Sequence, residues 1–152
     1  MRKKALGIIL IAGILLLLPA VVSAEAIGYV DFEFLFYAHP EYDLKNQQLQ
    51  EKAEELYVRI QEEAEQLETE EEINELGAYY EYQFELIEQE VRLELVAFIL
   101  QVIEEVAVEL GISAVLPEGS IIYGGLNITE QVVEAMYKHY GISVPSSIRE
   151  LL

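Results

Sequence analysis

The pattern of apolar and polar positions divides the chain into segments of different character. Three basic residues near the N-terminus are followed by the apolar run ALGIILIAGILLLLPAVV. Residues 40–110 are rich in Glu, Gln, Leu and Ala, and Gly77 is their only glycine, which predicts long helices. Short β-rich runs flank this region, at residues 27–30, 112–116 and 120–123.

The N-terminal run predicts a secretory signal peptide, residues 1–24, that is cleaved after Ala24. Its basic start, apolar centre and small residues Ser23 and Ala24 are typical of such a peptide. The alternative is an uncleaved membrane anchor, because the apolar stretch is close to the minimum length that spans a bilayer. The chain has no cysteine, so neither lipid attachment through a thiol nor a disulfide is available.

Residues 40–110 predict an antiparallel helical hairpin with its turn near residues 74–77, in the sequence NELG. Pro40 suits the start of the first helix, and Gly111 suits the end of the second. One apolar stripe follows each half, at Leu44, Leu49, Ala53, Leu56, Ile60, Ala64 and Leu67 and at Phe84, Ile87, Val91, Leu95, Phe98, Val102 and Ala107. Paired in antiparallel order, these residue numbers sum to about 151, which centres the turn between Glu75 and Leu76.

A second apolar stripe on the second helix has no partner within this hairpin. It is made of Tyr79, Tyr82, Leu86, Leu93, Ala97 and Leu100, roughly 100–160° around the helix from the first stripe. The stripe must therefore meet another subunit, a bound polypeptide or water. Tyr79, Tyr82, Leu86 and Leu93 are its candidate binding residues, because tyrosine rings bury apolar area while their hydroxyls stay hydrated. The alternative is that these side chains pack against Leu76 and the first arm.

The two ends of the chain predict a small β-rich body, formed by residues 25–39 and 111–141. Asp31 would cap a short helix that runs through Phe36. Two strands of the body would be joined by the turn PEGS, and a last helix would begin at Asn127 or Thr129 and end at Gly141. Residues 142–152 would be a loosely packed tail. The body is more apolar than so small a unit can bury alone, which predicts oligomerisation through Tyr29, Val30, Phe32, Ile121, Ile122 and Tyr123.

The fold class that follows is α+β, mainly α, with a long hairpin projecting from a small oligomerising β body. Cleavage after Ala24 leaves all 28 acidic residues and six of the nine basic ones, a net charge of −22. Such a charge disfavours nucleic acid and anionic lipid as partners, and it favours an elongated shape.

The residues give no support for an enzyme or for a bound cofactor or metal. His39 and His139 lack the spacing and companions of a zinc site and are expected to be ordinary residues of the body. Glu70, Glu71 and Glu72 lack the glycine-turned loop of a calcium site and are expected on a solvated helix face. Asn127, in the sequence NIT, is expected to cap a helix rather than to carry a glycan.

Two segments resemble the Skp/OmpH family of periplasmic holdase chaperones. They are IGYVDFEFLFYAHPEY near the start of the mature chain and ELGISAVLPEGSIIYGGLNITEQVVEAM after the hairpin. The second is the more specific, since its order of Gly, Val-Leu, Ile-Tyr, Ile-Thr-Glu and Val-Val matches the closing strands and helix of the family. The resemblance covers essentially the whole mature chain, although the arms match only as helical segments.

This resemblance implies a periplasmic homotrimer, with a central β body and three helical tentacles that hold unfolded outer-membrane proteins without ATP. Two departures stand out: the arms are shorter than in the best-known members, and they are acidic where those members are basic. The alternative function is a structural coiled-coil tether of the cell envelope. Such a tether would keep an uncleaved N-terminal anchor, and its acidic arms would dock a basic partner.

Overall fold

The computed structural model describes residues 26–152, so the predicted signal peptide lies outside the described residues. The described chain runs through β1 (Ala26–Val30), α1 (Phe32–Tyr37), α2 (Tyr42–Ala64), α3 (Glu70–Leu110), β2 (Ile112–Pro117), a 3₁₀ turn (Glu118–Ser120), β3 (Leu126–Asn127), α4 (Thr129–His139) and α5 (Ser146–Arg149). The protein is therefore mainly helical with a small sheet, which confirms the α+β class.

The sheet has three parallel strands in the order β2-β1-β3. The central strand β1 pairs with β2 from Gly28 opposite Val115 to Val30 opposite Pro117, and with β3 through Gly28 and Tyr29. Parallel neighbours need a long crossover, and the hairpin of α2 and α3 supplies it between β1 and β2. Gly28 lets the central strand pack closely on its neighbour, because a Cβ there would lie 3.1 Å from the end of the Ile112 side chain.

The prediction of a strand over residues 120–123, paired in a hairpin with residues 112–116, is wrong. Residues 118–120 form a 3₁₀ turn, and the short strand β3 comes only after Gly124 and Gly125, whose φ angles of 78° and 87° redirect the chain. Both outer strands run parallel to β1 on opposite sides, so they do not form a hairpin. The strands predicted at residues 27–30 and 112–116 are confirmed.

The helical hairpin is present, but its turn lies at residues 65–69 and not near residues 74–77. Helix α3 begins at Glu70 with a capping box, in which the Thr69 hydroxyl accepts from the Glu72 amide and the Glu72 carboxylate accepts from the Thr69 amide. This arrangement satisfies two amides that a helix start otherwise leaves unpaired. Gly77 lies inside the helix, where a single glycine is tolerated at a modest cost.

The pairing in which residue numbers sum to 151 is wrong for the same reason. Lys45 bonds to Glu94 and Glu63 bonds to Tyr80, each at a position about two to three helical turns nearer the turn than that register places it. A repeat with spacings of three and four matches itself after two turns, so an apolar pattern alone leaves the register ambiguous. The capping box at Thr69 resolves that ambiguity.

Membership of the seam between the arms was predicted better than its register. Apart from Leu44, every residue of the two predicted stripes is buried or half-buried in the structure, but Val102 and Ala107 belong to the core of the body and not to the seam. Leu44 is 51% exposed, because it lies about 140° around α2 from the seam residue Leu49.

The core of the body lies where the last turns of α3 meet β1, α1 and α4. Its fully buried side chains are Leu35, Ile99, Val102, Ile128, Val132, Val133 and Met136. Each such side chain stabilises the fold by roughly 1.5–3 kcal/mol relative to an exposed one. Helix α3 ends at Gly111, whose φ of 67° is left-handed, as predicted.

Polar side chains join the two ends of the chain within this body. Asp31 caps α1 by accepting from the Phe34 amide at 2.9 Å, as predicted, and the Asp31 amide donates to the Thr129 hydroxyl at 3.0 Å. Asn127 accepts from the Thr129 amide at 2.9 Å at the start of α4, which agrees with its predicted capping role.

The C-terminal residues 142–152 are not a loosely packed tail. Val144 is buried in the core and Ile148 packs against it, and Arg149 forms a 3.0 Å ion pair with Glu134 of α4. Val144, just before α5, and Ile148 within it are the apolar residues that hold this segment against the body.

Substitution of Gly77 tests the position of the turn. Because Gly77 lies within α3 and a Cβ there meets nothing within 4 Å, Gly77→Ala should raise the free energy of unfolding by about 0.5–1 kcal/mol in a urea titration. Gly111→Ala is the matched control and should lower it, because the φ of Gly111 is positive. A destabilised Gly77→Ala variant would contradict a helical Gly77.

Candidate functional site

The candidate site is the apolar stripe on the outer side of α3, and its residues are exposed. The exposed fractions are 56% for Tyr79, 57% for Tyr82, 42% for Leu86 and 59% for Leu93. Each of these side chains keeps about half of its surface exposed, so none belongs to the buried core of the hairpin. The alternative, in which they pack against Leu76 and the first arm, would require them to be buried.

The exposed stripe extends along most of α3. At about 100° per residue, its members fall within a wedge of about 80° and span about 40 Å along the helix. We name this surface the α3 stripe; it comprises Tyr79, Tyr82, Leu86, Leu93, Ala97, Leu100 and Val108. An apolar row of this length on one helix is more than the scattered apolar residues of an ordinary surface.

The sequence interpretation missed Val108, which is 74% exposed and is the most exposed member of the stripe. Its position could have been inferred from the sequence, because at about 100° per residue Val108 falls within the same wedge of α3 as the other stripe residues. The stripe therefore begins in the distal half of the arm and ends beside the body, next to strand β2.

Carboxylates interrupt the α3 stripe within the same wedge of the helix. Glu72, Glu75, Glu90 and Glu104 lie at helical phases that coincide with those of the apolar members. All four are exposed. The surface thus alternates between apolar and anionic groups along its length.

At the distal end of the stripe, Tyr79 packs against the buried seam residue Tyr80. Tyr80 is 8% exposed, and its hydroxyl donates to a Glu63 carboxylate oxygen at 2.6 Å. This hydrogen bond raises the pKa of Tyr80. The ring of Tyr79 meets that of Tyr80 edge-on with centroids 5.2 Å apart, so the exposed ring stands against a fixed one.

The residues predicted for the oligomerisation body occupy three different environments. Ile122 and Tyr123 are almost fully exposed, at 102% and 98%, in the segment between the 3₁₀ turn and β3. Tyr29, Phe32 and Ile121 are half-buried. Val30 is 2% exposed within the core of its own chain, so it is not available to contact another subunit.

A groove of about 470 Å³ lies at the base of the hairpin, between α1 and the two arms. The rings of Phe36, Tyr37 and Tyr42 line one side, in edge-on contacts with centroids 5.2–6.1 Å apart. Lys45, bonded to Glu94 at 2.7 Å, lies on the other side. The sequence interpretation did not single out this aromatic group.

The two histidines have structural positions in the body. His39 is 4% exposed; its Nδ1 accepts from the Glu41 amide at 3.0 Å, and its ring packs edge-on against Phe98. Burial lowers the pKa of His39, which favours the neutral ring. His139 lies 2.7 Å from Glu105, and hydrogen bonds from Gln101 and from His139 lower the pKa of that carboxyl.

No cluster of three or more possible metal ligands occurs within residues 26–152. Glu72 serves the capping box, while Glu70 and Glu71 are exposed at the start of α3. Across the same described range, none of the helices is both long and apolar enough to cross a membrane.

Comparison with known proteins identifies no relative from which a function could be transferred. No family model matches the sequence, and no curated protein matches it. The α3 stripe and the uncovered residues of the body are therefore the features from which a function can be inferred.

Proposed function

We propose that the protein is an ATP-independent periplasmic holdase that binds unfolded outer-membrane or envelope proteins between the helical hairpins of a homotrimer. The single observation that carries the proposal is the α3 stripe, an apolar row of about 40 Å on a projecting helix that its own chain leaves uncovered. Unfolded polypeptides expose apolar side chains, and such a row can shield them from one another.

The shape and charge of the hairpin support this function. Helix α2 has 23 residues and α3 has 41, so α3 is roughly 60 Å long and projects well beyond the body. Its exposed carboxylates oppose contact between stripes on different arms, which would keep the arms apart when no client is bound. Apolar side chains on a highly charged helix can therefore remain available for a client.

The proposed trimer rests on the exposed apolar residues of the body. Ile122 and Tyr123 are almost fully exposed, and Leu116 and Leu126 on the two outer strands are 38% and 49% exposed. Outer strands with unpaired backbone groups invite pairing with another chain. A second subunit at this position would cover both features, with no cofactor and no catalytic step involved.

In this proposal the signal peptide, residues 1–24, is removed and the mature protein is released into the periplasm. The tether alternative requires retention in the membrane through an uncleaved N-terminus. Fractionation of cells into membrane and periplasmic extracts separates the two functions, because the tether would remain with the membrane.

The mass of the chain from Glu25 onward, measured by light scattering, tests the proposed assembly. We expect three copies for the unmodified chain and a shift to monomer for Ile122→Ser/Tyr123→Ser, because the double change removes the most exposed apolar residues of the body. Tyr57→Ser, at an exposed position on α2 outside the body, should stay trimeric. A monomeric unmodified chain would contradict the proposed homotrimer.

Removal of the two distal tyrosines tests the α3 stripe as the client-binding surface. Tyr79→Ser/Tyr82→Ser should weaken the suppression of aggregation of an unfolded β-barrel membrane protein by about threefold or more, since each tyrosine offers apolar area to the client. Light scattering of the diluted client measures the suppression.

Tyr57→Ser is the matched control for this test, because Tyr57 is 60% exposed but lies on α2. It should retain full suppression. Circular dichroism should show unchanged helicity in both variants. Equal loss of suppression from the stripe and control variants would exclude the α3 stripe as a specific binding surface.

A further inference from the structure

The distal part of the hairpin carries negative charge that no basic residue compensates. Residues 60–91 include 12 glutamates and no lysine, arginine or histidine. All 12 are exposed. Arg59 and Arg92 bound this stretch, and Arg59 pairs with Glu55, outside it.

Within the described residues, none of these 12 glutamates takes part in an ion pair. Glu63 accepts a hydrogen bond from Tyr80, and Glu72 serves the capping box, but both bonds come from neutral donors. The paired basic residues of the hairpin are Lys45, Lys52 and Arg59, which lie on α2 and bond to Glu94 and Glu55. The excess of carboxylates and the distal half of the α3 stripe therefore occupy the same part of the arm.

The two features are interleaved at the level of single side chains. Glu72 and Glu75 precede Tyr79 and Tyr82 along one side of α3, and Glu90 lies between Leu86 and Leu93 on that side. Residues three and four apart on a helix are neighbours. An apolar group seated on the stripe therefore has a carboxylate within about one helical turn.

We propose that this distal surface, residues 72–93 of α3, selects polypeptide segments in which lysine or arginine alternates with apolar residues. The inference rests on the proposed holdase function and names the class of client. Carboxylates complement the cations of such a segment, the leucines and tyrosine rings cover its apolar side chains, and a tyrosine face can also bind a cation directly.

Charge distinguishes this occupant from other candidates for the same face. An acidic segment would bring like charge against the six glutamates of residues 72–93, and a second copy of the same hairpin tip would do the same. A bound metal ion is not favoured either, because the described residues include no cluster of possible ligands. A polypeptide that is both cationic and apolar complements the carboxylates and the apolar side chains of the surface.

Three synthetic peptides test the proposal. They share the same leucine and phenylalanine positions and carry lysine, glutamine or glutamate at every other position. Fluorescence anisotropy with the purified protein should show the tightest binding for the lysine peptide, by about tenfold over the glutamine peptide, and none for the glutamate peptide. The preference for lysine should shrink when salt rises from about 50 to about 300 mM, because salt screens exposed charges.

A pair of charge-matched variants locates the effect. Glu75→Gln/Glu90→Gln removes two carboxylates from the stripe and should weaken the lysine peptide by about threefold while leaving the glutamine peptide unchanged. Glu109→Gln/Glu118→Gln removes the same charge near the body, where both residues are exposed, and should have little effect. Both variants keep every apolar residue.

Equal affinities for the three peptides, or an equal effect of the two variants, would overturn the proposal. If the protein suppresses aggregation but shows no preference among the peptides, the holdase function is supported and the selection of cationic segments is contradicted. If it binds the lysine peptide selectively but suppresses no aggregation, the cationic docking surface is supported and the holdase function is contradicted.

Discussion

The structure depends on the burial of one end of α3 in the body. Ile99, Val102 and Val106 of that helix pack with Val132 and Met136 of α4 in a common core. Because α3 is continuous from Glu70 to Leu110, this packing also fixes the direction of the arm and the side on which its apolar stripe lies. The shorter helix α2 then covers the opposite side, and its seam is complete without the stripe. The exposure of the stripe is therefore a consequence of how the base of the helix is packed.

Exposed apolar area and exposed charge have opposite effects on such an arm. Apolar side chains on their own would promote contact between molecules, whereas a surface of carboxylates alone would offer little to an apolar ligand. In the proposed function, their interleaving on α3 would allow the arm to remain apart from its copies and still to bind a polypeptide whose charge is opposite. The charge would then contribute to the selectivity as well as to keeping the arms separate.

Local signals in the sequence predicted much of the fold. The cap at Asp31, the helix end at Gly111 and the strand at residues 27–30 are each determined by a few neighbouring residues. The turn near residues 74–77 was wrong because Gly77 was given more weight than Thr69 and Glu72, whose capping box starts α3. The strand at residues 120–123 was wrong because Ile121, Ile122 and Tyr123 have strand-forming side chains but no partner strand within residues 26–152. The stripe residues were predictable from helical phase, since phase depends on the helix and not on the register of its partner.

The central claim is that the α3 stripe is open to solvent in the free protein and covered when a client is bound. The chain has no native cysteine, so Leu86→Cys introduces a single thiol on the stripe, and its rate of reaction with a water-soluble maleimide reports its exposure. We expect fast labelling of the free protein and slowing by about tenfold or more with a saturating unfolded β-barrel protein, whereas Glu118→Cys on the body should label at the same rate in both states. Slow labelling of the free protein, or no protection by the client, would contradict this account.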